Sequence, residues 1–328
     1  MAETIVLKRP SRQSRKPISK KTSSVKLVNF ESGEFVSILP NLGATVRELV
    51  LRHGQKLYSV LEFPLSSEET IENVHFAGVK LLPYPGRVTD ATYSFGGKKH
   101  KLRVNSSGNF AIHGFMADKP YRLQTTKVGP RSASVTLTAS HDGTTKGYPF
   151  KFEIRLTYTL TNGSFSCTTE IKNTDSKSLP IGDGWHPYFR TSGSAKRLIL
   201  ALPPHSVAEV TPSKVATGEM RKAITKSSRI PMSQKVLDSV FDFGTKRKRV
   251  TTKLIDTKMG LELQLWQESG KGKYRYLILY RPASGTSIAI EPWTCAPDAF
   301  NNKMGLIVLK PGGKFKASYG VELKKHRS

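Results

Sequence analysis

Four short stretches place charged or titratable side chains in glycine- or proline-marked turns beside apolar runs. They are LLPYPGRV with Arg87, FAIHGF with His113, GDGWHPYF with His186 and IAIEPWTCAPDAFN with Glu291. A carboxylate, two imidazoles and a guanidinium can together take a proton, return a proton and hold hydroxyl groups. Glu291 follows the apolar run SIAI, and Pro292 is expected to end that strand. A carboxylate so placed should be partly buried, which moves its pKa toward the range of a base. The plainer reading of Glu291 is a salt bridge to Arg87. The plainer reading of each histidine is a packed imidazole with its hydrogen bonds satisfied.

The elements that must position these groups read as strands. From Val25 onward, short runs such as SVKLVNF, EFVSILP, TVRELVL and KLYSVLEF are broken by Gly, Asn or Pro. ATYSF-GG-KKHKLRV carries a Gly-Gly hairpin signal, and EIRLTYTL-TNG-SFSCTTEI reads as two alternating strands around a Thr-Asn-Gly turn. Alternation puts Ile154, Leu156, Tyr158 and Leu160 on one face. Further strands are expected at RLILALP, LELQLWQ, YRYLILYRP, TSIAIEP and FKASYGVEL. Helices are expected only as short pieces at 233–238 and 297–302. The predicted fold class is all-β, one large antiparallel β-sandwich domain over 25–328. No internal repeat or linker is found.

Residues 1–24 read as a disordered basic tail. The chain of 328 residues carries a formal charge of +27. Residues 1–26 hold eight Lys/Arg and one Glu, so +7 lies there and +20 in the body. Such charge attracts polyanions or phosphorylated substrates, yet the basic clusters are short, scattered and without interleaved aromatics, which fits a solvated surface. No apolar run approaches the roughly 20 residues that span a bilayer, and no secretory signal is read at the start. The acid-free, Ser/Lys/Arg-rich stretch from Arg9 to Ser24 also has the composition of an organelle transit segment. A cytoplasmic location is expected. Cys167 and Cys295 form no CxxC pair; a reducing compartment fits, with a disulfide between them left open.

The four stretches, in this order on an all-β chain of this length, resemble the aldose 1-epimerase (galactose mutarotase) family, over roughly residues 25–322. The resemblance is closest to an aldose 1-epimerase-like branch with similar "HG", "HPYF" and "EP.T..pdAfN" segments. It implies a β-supersandwich and an isomerase that needs neither metal nor cofactor. It also implies Glu291 as general base, His186 as general acid, His113 as a second imidazole near the sugar ring and Arg87 as a holder of sugar hydroxyls. Asp238, in VLDSVFDF, looks like the family's sugar-binding aspartate, with Asp242 four residues on as a competing match. The chemistry is consistent. Interconverting anomers needs a base for the C1 hydroxyl, an acid for the ring oxygen and room for the aldehyde to rotate. Trp185, Tyr188 or Trp293 could offer an apolar face to a sugar or could be core. Two positions depart from the family: Gly86, where some mutarotases have Asn, and Trp185, where many have Asn.

The leading expectation is therefore an aldose 1-epimerase acting on a free aldose such as glucose or galactose, as a monomer or dimer. The alternatives are a hexose-6-phosphate 1-epimerase, with Lys80, Arg103 and Arg190 as candidate phosphate contacts, and a non-catalytic carbohydrate-binding protein on the same fold. Contact with nucleic acid or another polyanion through the tail is an addition that could coexist with epimerase activity.

Overall fold

The computed structural model describes residues 2–5, 24–63, 73, 75–193, 195–233, 239–282 and 285–326. Period-two alternation builds the strands. In Lys151–Thr161, Phe152, Ile154, Leu156, Tyr158 and Leu160 are buried, while Lys151, Glu153 and Arg155 face solvent. Asn162 and Gly163 turn the chain into Ser164–Asn173, Gly163 at φ 70°. The second expected hairpin joins Thr92–Phe95 to Lys98–Lys101 through Gly96 and Gly97, at φ 58° and 73°. Two successive residues at positive φ are the geometry a tight hairpin requires and glycine adopts without strain.

Among the described residues the strands gather into nine-, six- and five-stranded antiparallel sheets, with three two-stranded ribbons. The six-stranded sheet runs in the order Tyr188–Arg190, Ser287–Trp293, Tyr276–Tyr280, Ser239–Asp242, Ser206–Val210, Ala216–Met220. One apolar core joins the layers, from Val36 and Leu49 through Leu156 and Phe165 to Leu277 and Ile290. This is the large antiparallel all-β architecture expected from the sequence.

Local details differ. Residues 2–5, expected within a disordered arm, form the strand Ala2–Ile5 paired with Val25–Asn29. A run with β-branched Thr4 and Ile5 and a single charge suits an open sheet edge. The strand carrying Glu291 does not stop at the proline but runs Ser287–Trp293. Pro292 has no N–H, and its carbonyl accepts from Trp185 N–H at 3.3 Å. Of the two expected helices, one is the four-residue turn Ala299–Asn302; 234–238, which holds most of the other, lies outside the described residues. Both cysteines are buried and free. No helix among the described residues is long and apolar enough to cross a membrane.

Residues 78–88 form the spine on which the site is built. Gly78 N–H donates to His186 O at 2.8 Å, His186 N–H to Val79 O at 3.1 Å and Leu81 N–H to Gly184 O at 2.8 Å. The same segment then turns to the other histidine. Phe115 N–H donates to Leu82 O at 2.9 Å, His113 N–H to Gly86 O at 2.9 Å, and Arg87 pairs with Ile112. Two stretches 73 residues apart in the chain, around His113 and His186, are thereby fixed to one strip of backbone.

Candidate functional site

Alternation along two strands decides which side chains meet. On 183–186, Asp183 and Trp185 are buried in the core, while His186 lines a cleft and Gly184 lies against Trp293. On Ser287–Trp293, Glu291 and Trp293 share the cleft side with Ile278 and Val240 from the next two strands. The cleft has a volume of about 430 Å³, and Arg87, His113, His186 and Glu291 all line it.

Glu291 is 1% exposed and His186 7%. His186 Nε2 lies 3.5 Å from Glu291 Oε2, and Trp293 Nε1–H donates to the same oxygen at 3.2 Å. Burial pushes the His186 imidazole down to about 3, and nearby His75 adds to the effect. His186 therefore rests as a neutral ring. Tyr188 stacks on it at 5.0 Å between ring centroids and 23° between planes, and holds its own hydroxyl on His75 O at 3.2 Å.

His113 is placed by backbone strain. It sits at φ 62°, a left-handed conformation uncommon outside glycine. Its ring Nδ1 accepts from Gly86 N–H at 3.2 Å, which assigns the proton of the neutral ring to Nε2. Burial first, then His186 and Arg87, holds this imidazole well below the usual histidine range. It is a fixed N–H donor 5.4 Å, centroid to centroid, from His186. Arg87 lies at the cleft wall, its guanidinium carbon 5.8 Å from the Phe110 ring centroid.

The remaining candidates separate. Asp238 lies outside the described residues. Asp242 is committed elsewhere: both its carboxylate oxygens are held by the Arg275 guanidinium, Nε to Oδ1 at 2.5 Å. Trp185 is wholly buried, stacked on Tyr319 at 5.0 Å, with Nε1–H on Gly78 O at 3.2 Å, so it is core. Lys80 is 1% exposed and paired with Asp183, which removes it as a phosphate contact. Arg190 is exposed and donates from Nε to Leu61 O at 2.9 Å. Arg103 lines a neighbouring cavity of about 380 Å³ that shares Phe76 and Asn105 with the cleft. No three His, Cys, Asp or Glu side chains among the described residues are placed to hold a metal ion.

The family profile described as Aldose 1-epimerase matches residues 26–322. The chain belongs to the aldose 1-epimerase family. The uncharacterized protein YihR of Escherichia coli strain K12 is 25% identical over 306 residues, covering 90% of this chain and 92% of that protein. Two solved structures share the fold. Galactose 1-epimerase from Lactobacillus acidophilus NCFM superposes with a TM-score of 0.76 at 20% identity, covering 100% of this chain and 99% of that one. A galactose mutarotase-like protein from Clostridium acetobutylicum gives 0.77 at 18% identity, covering 99% and 98%.

Both departures from the aldose 1-epimerase pattern have a structural reason. Gly86 sits at φ 74°, and a Cβ there would lie 2.8 Å from the Trp293 ring, so the indole fills the space a side chain would need. A bulky Trp185 is admitted because position 185 faces the core. Sequence reasoning missed Trp293 as the partner of Glu291, Tyr188 as the support of His186, and Phe76, Lys214, Ile278 and Tyr280 as cleft walls. Only Trp293 left a signal: in a strand, positions two apart share a face.

Proposed function

We propose that this protein is an aldose 1-epimerase interconverting the α and β anomers of a free aldose. The observation that carries this reading is the convergence of Glu291 and His186, 3.5 Å apart in a cleft also lined by Arg87 and His113. The two oxygens that must exchange protons are bonded to the same carbon, so a base and an acid must converge on one point.

Glu291 takes the proton from the C1 hydroxyl as C1–O1 becomes a carbonyl. The electrons of the C1–O5 bond pass to O5, and O5 takes a proton from the His186 ring. Burial keeps His186 neutral, so the donor is an imidazole N–H rather than an imidazolium, suited to a strongly basic leaving alkoxide. Rotation about C1–C2 presents the other face of the aldehyde. On reclosure O5 returns its proton to His186 and Glu291 returns its own to O1, so the enzyme ends unchanged. Each positioned acid or base contributes about 10²- to 10⁴-fold. Arg87 and the Nε2–H of His113 donate to ring hydroxyls and fix the sugar's orientation.

Of the expected phosphate contacts Lys80, Arg103 and Arg190, none lines the cleft, whose lysine is Lys214, and the free aldose is the reading put forward. The test is polarimetry of freshly dissolved α-D-glucose, α-D-galactose and α-D-glucose 6-phosphate. Faster approach to equilibrium for an unphosphorylated sugar supports the reading. Acceleration of the phosphorylated sugar alone, or of none, contradicts it.

A further inference from the structure

Directly behind the cleft lies a buried charge pair that the reaction does not use. Lys80 and Asp183 are each 1% exposed, with Nζ 2.8 Å from Oδ1 and 2.9 Å from Oδ2. Tyr274 donates its hydroxyl to Asp183 Oδ2 and bonds Thr169 Oγ1 at 3.0 Å. The ammonium sits 4.9 Å from the centroid of Tyr319, the ring on which Trp185 stacks.

This pair joins the segments that carry the site. Asp183 stands three residues before His186 and exchanges two bonds with Thr294, three residues after Glu291. Its N–H donates to Thr294 Oγ1 at 2.9 Å, and Thr294 N–H donates to Asp183 O at 2.9 Å. Lys80 lies within the backbone strip that fixes both peptide groups of His186, and it bridges to Trp185. Its neighbours Val79, Leu81 and Leu82 are apolar, and an apolar residue would fit the core at least as well. A buried ion pair seldom adds stability over a matched apolar pair, because desolvation offsets the attraction. What it does supply is a penalty for misalignment. Slipping 78–81 by one residue against 183–186 would turn its side chains to opposite faces. Lys80 would then leave Asp183, and two charges would be buried alone.

We propose that Lys80 and Asp183 are positioning residues whose buried ion pair fixes the register that sets His186 against Glu291. The proposal rests on the reading that His186 and Glu291 do the acid–base work.

The test uses Asp183→Asn, which keeps the shape and one acceptor oxygen for the Tyr274 hydroxyl but drops the charge and the second acceptor, and the apolar double variant Lys80→Met/Asp183→Leu. Melting temperature, kcat and KM are measured on whichever of α-D-glucose and α-D-galactose the wild type turns over. Long-range ¹H–¹⁵N spectra of the imidazoles add a readout independent of turnover, with His186 assigned by its loss in His186→Asn. Asp183→Asn should lower kcat about tenfold with KM changed less than threefold, measured well below its melting temperature. The double variant should regain stability relative to the single one without regaining kcat. In both, the His186 resonances should move, while those of His141, held on Phe150 O and Thr145 Oγ1, stay in place. Unmoved His186 resonances, or wild-type kcat in the folded double variant, overturn the proposal. If Glu291→Gln retains full turnover, the catalytic reading itself fails, which the resonances distinguish from a failure of positioning.

Discussion

Trp293 and Glu291 are joined by one hydrogen bond, indole N–H to carboxylate Oε2 at 3.2 Å, and that same oxygen faces the His186 ring. Both residues stand on one face of one strand, two positions apart, so the strand itself holds the proposed base. Trp293→Phe keeps the ring and deletes the donor. A hydrogen bond to a charged group contributes about 1.5–3 kcal/mol, so kcat should fall roughly 10- to 100-fold with little change in KM. Steady-state polarimetry checks this; an unchanged kcat would show that the indole does not hold the base.

The two imidazoles set the pH behaviour. Burial depresses His113 and His186, the latter to about 3, against an unfolded value of about 6.5. Both are neutral throughout the physiological range, so neither imidazole should contribute an inflection to kcat/KM between pH 6 and 8. An inflection near 6.5 that disappears in His186→Asn would contradict a neutral donor.

Stability follows the same shifts with a definite sign. Between pH 6.5 and 3 the unfolded chain binds more protons than the folded one at His186, and His113, held well below its usual range by burial, adds in the same direction. Their contribution is complete above 6.5 and is lost as pH falls toward 3. The melting temperature should therefore drop across that window, and His186→Asn should make the drop shallower. Equal slopes for the two proteins would show that the buried ring titrates normally.

Gly86 links a backbone requirement to the cleft. At φ 74°, with the Trp293 ring 2.8 Å from a built Cβ, Gly86→Ala meets both strain and collision. Such a residue costs about 1–3 kcal/mol. A fall in melting temperature accompanied by lost turnover is expected, because the indole that must yield also holds Glu291. Turnover unchanged in the folded variant would separate the two effects.

Much of this site was legible because Arg87, His113, His186 and Glu291 are polar residues in turns that abut apolar strands, where a purely structural chain has little use for them. The strands were legible from alternation, as in Phe152 to Leu160. Asp183 and Lys80 were not. A lysine in GVKLLP reads as a surface cation, and its partner lies 103 residues away, with Tyr274 194 residues away. Trp185 was ambiguous for a related reason: its face depends on pairing with 78–81, and no local pattern specifies that pairing. Pro292 misled because its rule concerns a missing N–H, whereas the strand needed only its carbonyl there.

In the proposed mechanism Glu291 and His186 open and close the hemiacetal together. Two-dimensional exchange NMR of the anomeric protons, at equilibrium on α/β-D-glucose and α/β-D-galactose, tests it most directly. The wild type should produce strong cross-peaks between the anomers of at least one sugar, and Glu291→Gln and His186→Asn, both folded, should each reduce the exchange rate by at least about a hundredfold. Wild-type exchange in either variant, or no exchange above the uncatalysed rate in the wild type, would contradict it.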